Sequence, residues 1–152
     1  MAASAWQLYN EAKYYIGNGT ITLGAGVFKM VLLKSASNTS TFTLSTYAQL
    51  TNEVATAAGY VAGGRALVPA TGQWVQGASA KQQKFTMSAI GIAFTASGAN
   101  IADIKFAVIR NSTGTTAGKL LCWCKLSSSQ FTVATPNTLT VLPAATGIFT
   151  LT

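Results

Sequence analysis

The stretch DIKFAVIRNSTGTTAGKLLCWCKL (103–126) decides the fold. In DIKFAVIR (103–110), Ile104, Phe106 and Val108 occupy alternate positions and share one face of an extended strand. LLCWCKL (120–126) repeats the pattern: Leu120, Cys122, Cys124 and Leu126 lie on one side, Leu121, Trp123 and Lys125 on the other. Between them, NSTGTTAGK (111–119) is a loop rich in turn formers.

Working outward, the same grammar continues in both directions. VFKMVLLK (27–34) carries Val27, Lys29, Val31 and Leu33 on one face and Phe28, Met30 and Leu32 on the other, which predicts a strand buried on both faces. ITL (21–23) reads as a short strand broken by Gly24-Ala25-Gly26, and SASNTST (35–41) as a polar loop. STYAQLTNEVA (45–55) sets Tyr47, Leu50 and Val54 at helical spacing and predicts a short helical turn. GYVAGGRALVP (59–69) reads as a strand bent by glycines and ended by Pro69. Further short strands are expected around Trp74, within 81–96, and in FTVA, NTLTVLP and GIFTLT at the end.

Residues 4–16 read as the one helix. Ser4 and Gln7 have capping-box spacing, Leu8, Ala12, Tyr15 and Ile16 share a face, and Gly17 is placed to stop it before the Asn18-Gly19 turn. Short strands at intervals of roughly ten residues, separated by Gly, Pro and Ser/Thr/Asn clusters, predict an all-β chain. The expectation is a single antiparallel β-sandwich domain over 1–152, jelly-roll or immunoglobulin-like, with one short N-terminal helix. No linker or internal repeat divides it.

Composition narrows the function. Hydrophobic residues make up 49% of the chain and charged ones only 9%, against roughly a quarter charged in an ordinary domain. There is no histidine, and the only acids are Glu11, Glu53 and Asp103. General acid–base work needs a group that titrates near the working pH, and paired-carboxylate mechanisms need two acids side by side. Zinc sites want Cys/His clusters and calcium sites want several carboxylates. The expectation is therefore a protein that is not an enzyme and takes no metal and no cofactor. The glycine-rich stretches lack both the dinucleotide fingerprint and a Walker pattern.

The net charge of +7 comes from ten Lys and Arg spread along the chain, with Lys81 and Lys84 the closest pair. Nucleic-acid binders concentrate such residues in runs or stripes, so no specific nucleic acid is expected, and the charge is read as solubility and attraction to an acidic partner surface. No run of about 18 consecutive apolar residues is present to span a bilayer. The first residues lack the basic and unbroken apolar regions of a signal peptide, so the chain is expected to fold in a cytoplasm without membrane contact. Cys122 and Cys124 share a strand face, so their Cβ vectors run parallel and a disulfide between them would be strained; they are expected to be buried free thiols.

Several segments together carry a resemblance. KYYIGNGTITLGAGVFKMVLL (13–33) resembles the opening of a family of small structural proteins of tailed phages, where a short helix, a glycine turn, a strand and an "FKxxLL"-like strand follow in order. TYAQLTNEVATAAGYVAGGRAL (46–67) resembles that family's "Y…NEV…GY-x-x-GG-x-x-L" segment, IKFAVIRN (104–111) its "ARYAVIY" strand, and GIFTLT (147–152) its usual ending. Acidic residues common in the family's early strand region are replaced here by TITLGAG.

The resemblance implies a virion structural protein. The leading expectation is a capsid decoration or cement protein on the outer capsid surface, partnered by the major capsid protein and by copies of itself as a dimer or trimer. The runner-up is a tail- or fibre-associated protein that binds a host receptor, with Trp74, Trp123 and Tyr60 as a carbohydrate platform. Candidate interface residues are the aromatic anchors Trp6, Tyr9, Tyr14 and Tyr15, with the basic pair Lys81 and Lys84. Each ring has a core-packing reading beside the interface one.

Overall fold

Apolar runs in this chain become strands where they find a partner edge. The computed structural model describes residues 4–69, 73–114 and 117–151. Its main sheet holds β1 (Gln7–Leu8), β2 (Phe28–Lys34), β3 (Arg65–Ala66), β7 (Ile101–Asn111), β8 (Leu120–Lys125) and β9 (Phe131–Val133). The order is β1-β8-β7-β2-β3, with β9 paired to the early part of β7. Two smaller sheets complete the set. One joins β4 (Trp74–Gln76), β5 (Gln83–Phe85) and β11 (Phe149–Leu151); the other joins β6 (Ile92–Thr95) and β10 (Thr138–Val141). Among the described residues all the ladders are antiparallel, and the architecture is the all-β, sandwich-like one expected, with a single short α-helix, α1 (Asn10–Gly17).

The centre of the main sheet explains why VFKMVLLK is apolar on both sides. The register aligns Val31 with Val108 and Val108 with Trp123 on one face, and Met30 with Ile109 and Ile109 with Cys122 on the other. All but Trp123 are fully buried, and burying each Val, Met or Ile side chain among them stabilises the fold by about 1.5–3 kcal/mol relative to leaving it exposed. On the first face Trp123 meets Phe106 and Phe42 edge-on, at ring separations of 6.1 and 5.9 Å. On the second, Phe28 meets Phe85 of β5 at 5.0 Å, and Phe85 stacks on Phe149 of β11 at 5.3 Å. The small β4–β5–β11 sheet thus packs against one face, and the long segment after β2 packs against the other.

A bulge between Ile101 and Ile104 breaks the register of β7, with Asp103 at a φ of 62°. Aspartate is among the few residues that visit this left-handed region. The bulge lets one strand serve β9 at its start and β2 and β8 farther along.

Several local expectations are corrected. The helix does not span 4–16: residues 7–8 form β1 on the edge of β8, and the helix begins at Asn10. Ser4 makes no capping box. Its N–H donates to the Lys125 carbonyl at 2.8 Å, and its hydroxyl accepts from the Lys125 N–H at 2.9 Å. The open edge of β8 outbids a local cap because it satisfies backbone groups that would otherwise need water. Tyr9 is the extended residue before the helix, Glu11 sits in its first turn, and Gly17 is its last residue rather than its stop. ITL forms no strand either; Ile21 and Leu23 are buried, but they ride in turns. In 45–55 the helical turn is real but short, a 3-10 turn at Tyr47–Gln49 with a Thr46/Gln49 capping box. Only Arg65–Ala66 of the 59–69 stretch is strand.

Candidate functional site

The outer edge of β2 is where the segment quoted above as NEV…GY…GG comes to rest. In an antiparallel ladder alternate residues turn their N–H and C=O to the same side. Phe28, Met30, Leu32 and Lys34 face away from β7, and each is met differently. The Leu67 N–H donates to the Phe28 carbonyl at 2.9 Å, and Met30 pairs with Arg65 of β3. The Lys34 N–H donates to the Asn52 carbonyl at 2.9 Å, and the Val54 N–H to the Leu32 carbonyl at 3.1 Å. That leaves the Leu32 N–H, which donates to the hydroxyl of Tyr60 at 3.1 Å. A side chain stands in for a strand at that point.

Glu53 holds this hydroxyl in place. Its Oε1 accepts from the Tyr60 O–H at 2.7 Å and from the Gly63 N–H at 2.7 Å, and its Oε2 accepts from the Tyr47 O–H. Hydrogen bonds to a charged group are worth about 1.5–3 kcal/mol each. Arg110 of β7 completes the cluster. Its guanidinium lies 4.4 Å over the Tyr47 ring and donates to the Gly63 carbonyl from Nη2 at 2.8 Å. Burial, then the bond to Glu53, pushes the Tyr47 hydroxyl up to about 12, and the same two causes in the same order raise Tyr60 further. Both stay protonated donors at neutral pH.

Gly64 shows how closely the segment approaches. At a φ of +83° it passes so near the sheet that a Cβ there would sit 2.2 Å from the Met30 carbonyl oxygen. Only glycine fits both the conformation and the gap.

Chemically, this cluster is a latch. A carboxylate that already accepts three directed bonds has most of its acceptor sites engaged by neighbours within the fold. The thiols are likewise core groups: Cys122 and Cys124 are free and buried. Burial pushes Cys124 up to about 12 and, with the neighbouring Cys124 adding to it, Cys122 well above its ordinary value. Raised thiol pKa values oppose thiolate chemistry. Among the described residues no group of three or more His, Cys, Asp or Glu could hold a metal ion.

The candidate interface residues do not gather in one patch. Tyr9 is fully buried, its hydroxyl donating to the Thr39 carbonyl at 2.9 Å, so it is a core residue and not an anchor. Tyr14 is 64% exposed on α1. Tyr15 beside it is half-buried, with the Lys119 ammonium 4.7 Å over its ring. Trp6 is half-buried and lines a cleft with Leu142 and the 143–150 segment. Lys81 is exposed, while Lys84 is half-buried on β5, paired with Thr150 of β11. The carbohydrate platform is also corrected: Tyr60 and Trp123 are buried, and Trp74 is half-buried against Phe149.

The latch itself went unread as a cluster. Its signal was a lone glutamate in an acid-poor chain, flanked by Tyr47, Tyr60 and the Gly63-Gly64 pair. The exposed aliphatic side chains Val61, Val68, Ile90 and Leu142 were missed because single exposed positions leave no periodic mark. No family model, no curated protein and no solved structure matches the chain.

Proposed function

We propose that this chain is a non-catalytic virion structural protein of a tailed phage, a capsid decoration or cement module that adds contacts between subunits of the major capsid protein. One observation carries the reading: each acid has a place in the architecture. Glu53 closes the latch, Asp103 sits in the β7 bulge, and Glu11 lies in the first turn of α1, where a negative charge favours the helix. The thiols are packed into the main sheet. What remains for the surface is a low-charge, net-positive coat in which apolar side chains such as Tyr14, Ile90 and Leu142 stand exposed. Such a surface suits adhesion to another protein, and its charge steers it toward an acidic capsid exterior. A module that binds only the assembled shell stabilises that shell by mass action. Self-association as a dimer or trimer on a local symmetry axis belongs to the same proposal.

Cryo-electron microscopy of purified particles tests it. Density for this chain repeated across the outer capsid lattice is the expected result. Density confined to neck, tail or fibres at low copy number would replace the cement role with a receptor-binding one.

A further inference from the structure

We infer that the cleft between the 59–66 segment and β6 is a docking site for an extended polypeptide segment bearing a carboxylate side chain. The cleft holds about 400 Å³ and is walled by Lys29, Tyr60, Val61, Arg65, Ala66 and Phe94. Three features of it point to the same occupant.

The first is uncompensated charge. Lys29 is half-buried and has no ion-pair partner among the described residues. Arg65 reaches from β3 to β6, where its Nη1 donates to the Ala93 carbonyl at 2.6 Å, and a guanidinium has further N–H groups to offer. Glu53 is bonded to Tyr60 in the cleft wall, and its two oxygens accept from the Tyr60 hydroxyl, the Gly63 N–H and the Tyr47 hydroxyl. Neither Lys29 nor Arg65 has an ion-pair partner among the described residues.

The second is an open piece of backbone. Leu67 bonds Phe28 and Arg65 pairs with Met30, so the ladder alternation turns the N–H and C=O of Ala66 away from β2. They have no partner among the described residues. The third is an apolar flank: Val61 is 65% exposed beside the buried Phe94 ring. A chain laid along β3 would bond Ala66, set one side chain against Val61 and Phe94, and present a carboxylate to Lys29 and Arg65. Choosing a polypeptide as the occupant rests on the adhesive-module reading above; the chemistry of the site does not.

The test is a proton–nitrogen NMR titration of the isolated chain with a capped peptide of alternating valine and glutamate. Saturable shifts at Val61, Arg65 and Ala66 are expected, with affinity about tenfold weaker in Lys29→Gln and in Arg65→Gln and unchanged in Lys81→Gln. A glutamine version of the peptide that binds equally well would overturn the proposal, as would shifts scattered over all the lysines. Acetate producing the same shifts at the same concentration would overturn the strand occupant and leave a small-anion site. Because the readout is the free chain, a negative result here and absence from the capsid shell are separate failures.

Discussion

The centre of the main sheet and the latch on its edge hold the same strand by opposite means. Along β7, β2 is gripped by seven residue pairs, with apolar layers on both faces. No one contact there decides the outcome, because each side chain shares its burial with many neighbours. Along its other edge, β2 depends on two residues of β3, a few loop carbonyls and amides, and one tyrosine hydroxyl held by one carboxylate. Asn52 and Ala58 take positive φ in that short stretch, two strained positions against one, Asp103, in the sheet. Redundant contacts tolerate loss; a hub of directed bonds concentrates it.

The comparison breaks or sharpens on a pair of truncations. Glu53→Ala strands two tyrosine hydroxyls and the Gly63 N–H, and it should cost about 3–4 kcal/mol, as much as Ile109→Ala in the fully buried core. Chemical denaturation gives the totals and native-state hydrogen exchange separates them. Ile109→Ala should lower protection across β2, β7 and β8 together. Glu53→Ala should first release the amides of Leu32 and Val54, which depend on the latch. Equal loss of protection everywhere in Glu53→Ala would mean that latch and sheet are one cooperative unit.

Next in size is Gly64→Ala, which meets the Met30 carbonyl at 2.2 Å while holding a φ of +83° and should cost about 2–3 kcal/mol. Gly63→Ala shares the positive φ but meets only the end of the Arg110 side chain, at 3.3 Å, and should cost less. Midpoints from urea melts check the order, and a reversal would show that backbone strain, rather than close approach, limits the segment.

The smallest effect is a pH dependence confined to alkaline solution. The Tyr47 hydroxyl is raised from its ordinary 10.0 to about 12 in the folded chain. Between those values the folded state holds a proton that the unfolded state releases. Its contribution is therefore complete below about pH 10 and is lost as pH rises toward 12. Tyr47→Phe should flatten the alkaline limb of stability against pH and leave the neutral plateau's shape unchanged. An unaltered alkaline limb would place the titration elsewhere, in Tyr60 or the thiols.

What the sequence made legible follows the same division. β2, β7 and β8 were readable because burial on one or both faces writes a pattern into consecutive residues such as Phe28–Leu33 and Phe106–Ile109. Residues 4–9 misled because Ser4 and Gln7 match a local cap, while the edge that captures them belongs to residues 122–125, more than a hundred positions away. Tyr9 looked like an anchor since nothing near it in sequence reveals Thr39 as its partner. Glu53 was visible as an isolated acid, but its partners arrive from Tyr47, Tyr60 and Gly63, and the bond it supports ends on Leu32. Patterns of burial are periodic and survive in one dimension; convergent polar contacts do not.

The hydroxyl of Tyr60 on the Leu32 amide has one more consequence. β2 is a long apolar strand without proline, the kind of segment that recruits copies of itself once its edge is bare. When many copies of a protein are made and held at high concentration, an exposed edge of that kind is a route to fibres. The latch keeps that route shut, so a variant that loosens it should reveal itself in the test tube as turbidity and dye-binding aggregate before it shows as a lowered melting point.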